Sequence, residues 1–390
     1  MTLKSRPENS SIRLGCILLS LILVCFTFLC SGLISISYFV AQPFPFIIAT
    51  IFASFTAVPY FFFLWWIDRN EPEPILLLIA AFLWGAFVST AISAIFNDTF
   101  GIITMELVQH QALASQITAS ISAPFIEEIT KGAAILVIFF IFRHEFDNLL
   151  DGIIYGGMVG LGFAWFENIS YYVRPFVENS GSWDDMFLLV YIRGLVSAAG
   201  GSHVTFTALT GAGFGIIRSR RKDGWTYFMP FIGLGLAMMA HFAWNTFAGF
   251  IVLIFEEMSG TGVSLFIGLP LATIIIQGPF ALGLLLAVRY AWKQEETILL
   301  RYLRKEAPSV ITIEEYGELT PSFKRTYRSM LFFFAHGWSQ WHYRYRLTRL
   351  QVELAFAKWH NDEDEEVDWS YDEDKIIVDL RNEIRQLRQS

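Results

Sequence analysis

The chain has 390 residues, of which 54% are hydrophobic and only 16% are charged. A soluble domain normally carries about 25% charged residues, so this composition excludes an ordinary water-soluble globular protein and points to lipid as the main solvent. The chain has a net charge of -8, and its C-terminal tail includes the acidic run 362–366. No basic face of useful size supports nucleic-acid binding, so we expect no nucleic-acid partner.

Long apolar stretches dominate the first three quarters of the sequence. A helix needs about 20 apolar residues to cross a hydrocarbon core of about 30 Å. Eight stretches reach that length, at approximately 14–37, 44–66, 75–96, 121–142, 150–172, 186–217, 227–255 and 263–291. The first stretch is too long for a signal peptide, and no small-residue cleavage motif follows it, so it counts as a span. The pattern predicts an all-α, polytopic transmembrane helix bundle of about eight spans.

The transmembrane domain is predicted to occupy residues 1–292, followed by a cytoplasmic, partly helical tail at 293–390. Within the tail, helices are expected at 323–359 and 375–389, on either side of the acidic run. Lys and Arg recur in alternate connections between the spans, which predicts a multi-pass protein of the cell membrane with both termini in the cytoplasm. The tail is a candidate to recruit a cytoplasmic partner, although a regulatory or stabilising appendage is the preferred interpretation.

Span four contains three ionisable residues, Glu127, Glu128 and Lys131. Such groups are costly inside a bilayer and usually have a function. Glu127 and Lys131 are four residues apart and share a helix face, whereas Glu128 is rotated from Glu127 by about 100°. We expect the lysine to hold one carboxylate while the other faces a different neighbour, the unequal pair that acid–base chemistry requires. The alternative is a buried ion pair that only fixes helix packing.

Spans five to seven each carry a polar pair, at adjacent or i,i+4 positions. These pairs are Glu167 with Asn168, His203 with Thr207, and His241 with Asn245. With a helix rise of about 1.5 Å per residue, the pairs and Glu127 all fall in the outer half to middle of the bilayer. Each residue alone has a structural interpretation, as a packing histidine or a water-accessible carboxylate. Their agreement in depth favours one shared site.

At these residues the sequence resembles the PrsW family of intramembrane proteases, part of a wider group that includes the CAAX-processing endopeptidases. The matching motifs, one on each of four predicted helices, are Glu127-Glu128-x-x-Lys131, Phe163-x-x-x-Glu167-Asn168, His203 and His241-x-x-x-Asn245. The turn 68–74 and the segment 151–155 are also similar, and the resemblance covers about residues 50–290. It implies an endopeptidase that cuts a single-span, membrane-anchored protein near its extracytoplasmic side. For that family the implied substrate is an anti-sigma factor, cut in a stress response.

The hypothesis for the mechanism begins with a glutamate acting on water. Glu127 or Glu128 is the general base, and His203 and Glu167 hold the water or shuttle protons. In the same hypothesis, Lys131 orients the adjacent glutamate.

The remaining residues have stabilising roles or belong to the metal alternative. His241 and Asn245 stabilise the oxyanion, and Asn168 supports Glu167. No cofactor is expected. Zinc is the alternative, because two histidines and carboxylates are zinc-capable ligands, but a metal-free glutamic mechanism ranks above it since no H-E-x-x-H motif occurs.

Two other function classes stay open from the residues alone. Intramembrane carboxylates and histidines also build the paths of proton- or ion-coupled transporters, although no repeat between the two halves supports that class. A non-catalytic membrane scaffold is the second alternative. All three interpretations have the lipid bilayer as a partner, whereas a single-span membrane substrate belongs to the protease alone.

Overall fold

The computed structural model describes residue 32 and residues 35–143, 145–178, 181–196, 201–219, 224–319, 322–363 and 370–389. Every regular element among these residues is helical, which confirms the all-α class. The first predicted span, 14–37, lies almost wholly outside the described residues.

Helices with short π-helical turns between them form the apolar part of the chain. The helices are α1 (Pro43–Ile67), α2 (Ile75–Leu83), α3 (Thr90–Val108), α4 (Gln111–Ile117), α5 (Ala123–Ile141), α6 (Leu149–Glu178), α7 (Trp183–Leu189), α8 (Gly201–Ser219), α9 (Met229–Ser259), α10 (Thr261–Val263) and α11 (Leu269–Leu303). The π-helical turns are Trp84–Ser89, Thr118–Ser122, Val190–Val196 and Ser264–Gly268, and a 3-10 turn covers Gly224–Phe228.

Five helical stretches in the described part of the chain are long and apolar enough to cross a membrane. They are Pro43–Ile67, Ile75–Val108, Leu149–Glu178, Gly224–Met258 and Ser264–Leu303. These stretches confirm a polytopic membrane protein and coincide with five of the eight predicted spans, so the predicted number is not exact. The predicted fourth span is helical as α5, but its three charged residues lower its apolar character. The predicted sixth span is two pieces, α7 with its π-helical turn, and α8.

The predicted third span and its connection differ from the structure. The predicted span ends at residue 96, and the next predicted span begins at 121, so the residues between them were expected to form a connection. Instead, α3 continues to Val108 and α4 begins at Gln111. Polar residues such as Asn97 end the apolar run without ending the helix, because a helix tolerates polar side chains that find partners. Asn97 therefore lies within a helix rather than in a connection.

Helix α6 is the centre of the bundle. Of the residues in the most apolar segment of α6, 94% are buried, whereas the share in α1 is 17%. Helix α6 is therefore enclosed by protein, and α1 lies at the edge of the described bundle. Glycines let α8 lie directly on α6: a Cβ built at Gly160 would come within 2.1 Å of the His203 carbonyl oxygen. This close approach, typical of membrane helix packing, fixes His203 beside α6.

Large apolar side chains face outward around this bundle. Phe55 is 69% exposed, Leu107 79%, Phe231 74% and Phe266 67%. In water such a surface would aggregate, whereas lipid chains solvate it.

The chain divides into two compact units. The described residues of Met1–Ile67 and Glu73–Ala287 form one, and those of Asp68–Pro72 and Val288–Ser390 form the other. The boundary predicted between residues 292 and 293 lies slightly after this division.

The C-terminal unit contains the end of α11 together with α12 (Ile313–Glu318), α13 (Ser322–Glu363) and α14 (Ser370–Gln389). A capping box between Thr312 and Glu315 starts α12. Gly337, with a φ of 79°, interrupts α13 in a backbone conformation that favours glycine. The core of the unit consists of buried aliphatic and aromatic side chains, including Leu299, Leu303, Leu354, Phe356 and Ile384.

Candidate active site

Helix α5 carries the two adjacent carboxylates and the lysine. It follows the π-helical turn Thr118–Ser122, and Pro124 in its first turn suits a helix start. Glu128 and Lys131 are fully buried, and the Glu127 side chain is 8% exposed. Charged groups buried away from water need partners of opposite charge, so the lysine must lie beside the carboxylates.

Lys131 is the hub of the charged cluster. Its Nζ lies 2.9 Å from Glu128 Oε1, 3.3 Å from Glu127 Oε2 and 3.0 Å from His203 Nδ1. The ammonium also sits 3.7 Å from the centre of the Phe163 ring, in cation–π contact. The prediction that the lysine holds a single carboxylate is therefore wrong. The side chain is long enough to reach both the i-3 and i-4 positions.

Glu128 is saturated with partners. In addition to Lys131, it contacts His241 Nδ1 at 3.0 Å through Oε1 and accepts a hydrogen bond of 3.3 Å from the Thr207 hydroxyl through Oε2. Both oxygens are thus engaged, so the carboxylate fixes the orientation of the His241 ring.

Glu127 is held less tightly than its neighbour. Asn97 Nδ2 donates to its Oε1 at 3.3 Å, and His241 Nε2 lies 4.0 Å from its Oε2. Asn97 is itself oriented by the Ser122 hydroxyl, which donates to Asn97 Oδ1 at 2.7 Å. Sequence reasoning missed Asn97, because it treated this position as part of a connection.

A second carboxylate–histidine pair adjoins the first. Glu167 Oε2 lies 2.9 Å from His203 Nε2 and 2.7 Å from Arg193 Nη2. Arg193 also donates from Nε to Asn168 Oδ1 at 3.1 Å and lies over the Tyr171 ring. The guanidinium of Arg193 is thus bound inside the bundle, and sequence reasoning did not assign it to the site. The available signal was its position within a predicted span, where a cation needs a partner.

The two histidines face each other within an apolar frame. The ring centres of His203 and His241 are 5.1 Å apart, and Phe206 stacks on His241 at 5.0 Å. Phe163 packs against His203 at 5.0 Å. Aromatic packing thus limits the positions available to both imidazoles.

Among the described residues, the hydrogen bonds of Asn245 go to other partners than this cluster. Its side-chain Nδ2 donates to the Ala119 carbonyl oxygen at 2.7 Å, and its main-chain carbonyl oxygen accepts from Gln116 Nε2 at 3.1 Å. Both contacts hold the segment that precedes α5. The oxyanion role expected for Asn245 stays a prediction.

Three of the site residues fit a divalent cation. Glu127, His203 and His241 each offer one ligand atom, and these atoms all lie within 4.8 Å of one another. Glu128 and Glu167 each hold one ring nitrogen of a histidine, an arrangement that commonly orients metal-binding imidazoles. The remaining nitrogen of His203 contacts Lys131, so binding a cation there requires the ammonium to move.

Four helices therefore bring acids, histidines and a lysine together at one buried point inside an apolar bundle. This arrangement is typical of the class of membrane-embedded enzymes. The family model described as PrsW family intramembrane metalloprotease matches residues 73–275. The chain belongs to this family, as the resemblance implied, and the family places it among the intramembrane proteases.

Relatives named Protease PrsW support the same assignment. The chain is 29% identical over 201 residues to the protein of Geobacillus kaustophilus, covering 48% of this chain and 77% of the relative. It is 36% identical over 118 residues to that of Clostridioides difficile, covering 29% and 47%, respectively. The Bacillus subtilis protein is 28% identical over 116 residues, covering 29% and 48%. The chain thus spans about half the length of the latter two. No solved structure matches.

Proposed function

We propose that the cluster around Lys131 is the active site of an endopeptidase that cleaves a single-span membrane protein near its extracytoplasmic side. The main support for this proposal is that five catalytic candidates from four helices converge at one place. They are Glu127, Glu128, Glu167, His203 and His241. An anti-sigma-factor-type regulator is the substrate class that the family resemblance favours. The predicted depth of the site, in the outer half to middle of the bilayer, agrees with that side of cleavage.

Glu127 is the carboxylate that acts on the attacking water. Its contacts of 3.3 Å or more leave it freer than Glu128, whose oxygens are occupied by Lys131, His241 and Thr207. A general base must be able to approach the proton that it removes. Glu128 is instead a positioning residue for His241.

The histidines serve opposite sides of the reacting centre. His241, held at Nδ1 by Glu128, directs Nε2 toward Glu127 and can donate to the developing oxyanion. His203, held at Nε2 by Glu167, contacts Lys131 through Nδ1, so a proton can pass along this chain to the leaving amine. Buried, fixed donors stabilise developing charge without reorganising.

A divalent cation fits Glu127, His203 and His241, in agreement with the printed family description. When bound there, it would activate a water and polarise the scissile carbonyl. Glu128 and Glu167 would keep their roles in orienting the two histidines. The preference for a metal-free reaction stays a prediction, and Glu127 is a ligand in one case and a base in the other.

Fragment formation from a co-expressed candidate single-span substrate tests the site. Replacing Glu127 by Gln is expected to lower cleavage by about 10²–10⁴-fold, the range typical of a lost general base. Glu128→Gln and His203→Ala are expected to lower cleavage as well. Glu106→Gln is the matched control, because this carboxylate is exposed on α3. Unchanged cleavage in all three site variants at equal expression would overturn the assignment.

Chelation separates the two roles of Glu127. Loss of cleavage by the purified enzyme in a chelator, with recovery on addition of zinc, is the result expected if Glu127 is a metal ligand. Full activity after exhaustive chelation, with no metal detected by mass spectrometry, assigns the role of base.

A further inference from the structure

A basic cavity lies in the C-terminal unit, apart from the catalytic cluster. Its volume is about 800 Å³, within the range of small-molecule pockets. Its basic lining residues are Arg301, Arg304, Lys305 and Lys358, and Asp362 is the acidic residue among those described. In a chain of net charge -8, this concentration of positive charge is a local exception.

Among the described residues, most of this positive charge has no carboxylate partner. Lys358 is neutralised by Glu306, whose Oε1 lies 2.9 Å from Lys358 Nζ. Arg301, Arg304 and Lys305 are exposed, and none forms an ion pair with a carboxylate in the described part of the chain. Like charges around one space repel unless an anion joins them.

We propose that this cavity binds a phosphate-bearing anion. Arginine guanidinium groups match phosphate oxygens in bidentate geometry, and lysine adds a point charge. The volume exceeds the need of a single phosphate and suits an anion of diphosphate or nucleotide size.

The position along α11 favours a soluble anion over a lipid headgroup. The predicted apolar stretch ends near residue 291, and α11 continues without interruption to Leu303. Arg301 is therefore about 15 Å beyond the apolar end along the helix axis. The polar layer of a leaflet is only about 5–8 Å thick. A headgroup reaches the cavity only if the helix is strongly tilted.

The test measures binding to the full-length protein in neutral detergent by titration calorimetry. One arm uses sodium pyrophosphate, and the other uses phosphatidylglycerol in mixed micelles. In the cavity variant, Arg301→Gln, Arg304→Gln and Lys305→Gln are combined. We expect its pyrophosphate affinity to fall by at least about tenfold, because three charge-assisted contacts are lost.

The control variant combines Arg328→Gln, Arg349→Gln and Lys375→Gln, which removes the same charge from exposed positions outside the cavity. Its affinity is expected to stay within about twofold of wild type, since distant exposed charges are screened by salt. Cavity-dependent binding of phosphatidylglycerol alone would keep the proposal and assign the lipid source. The proposal is overturned if the wild type binds neither probe, or if both triple variants weaken binding equally. Matching thermal midpoints establish that both variants are folded.

Discussion

At the residue scale, Arg193 connects the Glu167 carboxylate to its surroundings. In the pair that Arg193 forms with Glu167, the two side chains are 25% and 21% exposed, respectively. Arg174 and Glu178, which lie on the same helix as Glu167, also form a pair, but their side chains are 56% and 50% exposed. A shielded pair that also holds a histidine partner fixes geometry, while an exposed pair contributes little.

Replacing Arg193 by Gln is expected to lower cleavage by about 10- to 100-fold, the usual cost of losing a partner that orients a reacting group. Arg193→Lys should restore part of the activity by keeping the charge. Cleavage of a co-expressed substrate is the measurement, with Arg174→Gln as the control expected to match wild type. Equal rates for Arg193→Gln and Arg174→Gln would remove Arg193 from the site.

Helical spacing predicts much of the site but not its final contacts. The four-residue separation of Glu127 and Lys131 gives their ion pair, because i and i+4 share a helix face. The contacts of Arg193 with Glu167 and of Asn97 with Glu127 depend instead on how separate helices pack. Periodicity within one helix holds no information about that packing.

At the element scale, the contact between α6 and α8 positions His203. A Cβ at Gly160 would meet the His203 carbonyl carbon at 2.6 Å, a separation that neighbouring backbone cannot tolerate. Hydropathy predicts that both segments are helical, but it does not predict which glycine permits their close approach. Hydropathy also places predicted spans over α5 and α8, although their polar and small residues, which serve the site and the packing, lower their apolar character.

Replacing Gly160 by Ala is expected to destabilise the bundle by about 1–3 kcal/mol, the usual cost of overpacking. Cleavage should fall as well, because α8 must shift together with His203. Thermal unfolding in detergent and the cleavage assay measure the two effects. Gly235→Ala is the control, since nothing lies within 4 Å of a Cβ there. A Gly160→Ala protein equal to wild type in both assays would contradict this packing argument.

At the scale of the whole molecule, the C-terminal unit has its own electrostatic support. Burial raises the pKa of Glu306, but hydrogen bonds from Arg381 and Lys358 outweigh that effect and hold the pKa below its ordinary value of 4.5. A carboxylate with a lowered folded-state pKa stabilises the fold above the unfolded-state pKa. That stabilisation is lost as the pH falls through the lowered value.

The C-terminal unit is therefore expected to open more readily as the pH drops below about 4.5. Hydrogen exchange of the segment 299–311 in the full-length protein, corrected for intrinsic rates, measures this opening. Glu306→Gln should raise exchange at neutral pH and weaken its acid dependence. The control Glu314→Gln, at an exposed position, should keep the wild-type profile. A pH profile unchanged by Glu306→Gln would show that Glu306 contributes no such support.

Hydrolysis of a membrane-embedded peptide bond at Glu127 can be observed without other cellular proteases when purified protein is placed in lipid bilayers. Mass spectrometry of a candidate single-span substrate would identify the fragments formed by the wild type, Glu127→Gln and Glu106→Gln. We expect one new terminus in the extracytoplasmic half of the substrate span for the wild type and Glu106→Gln, and no such terminus for Glu127→Gln. The same fragments at the same rate from Glu127→Gln would contradict the catalytic role of Glu127.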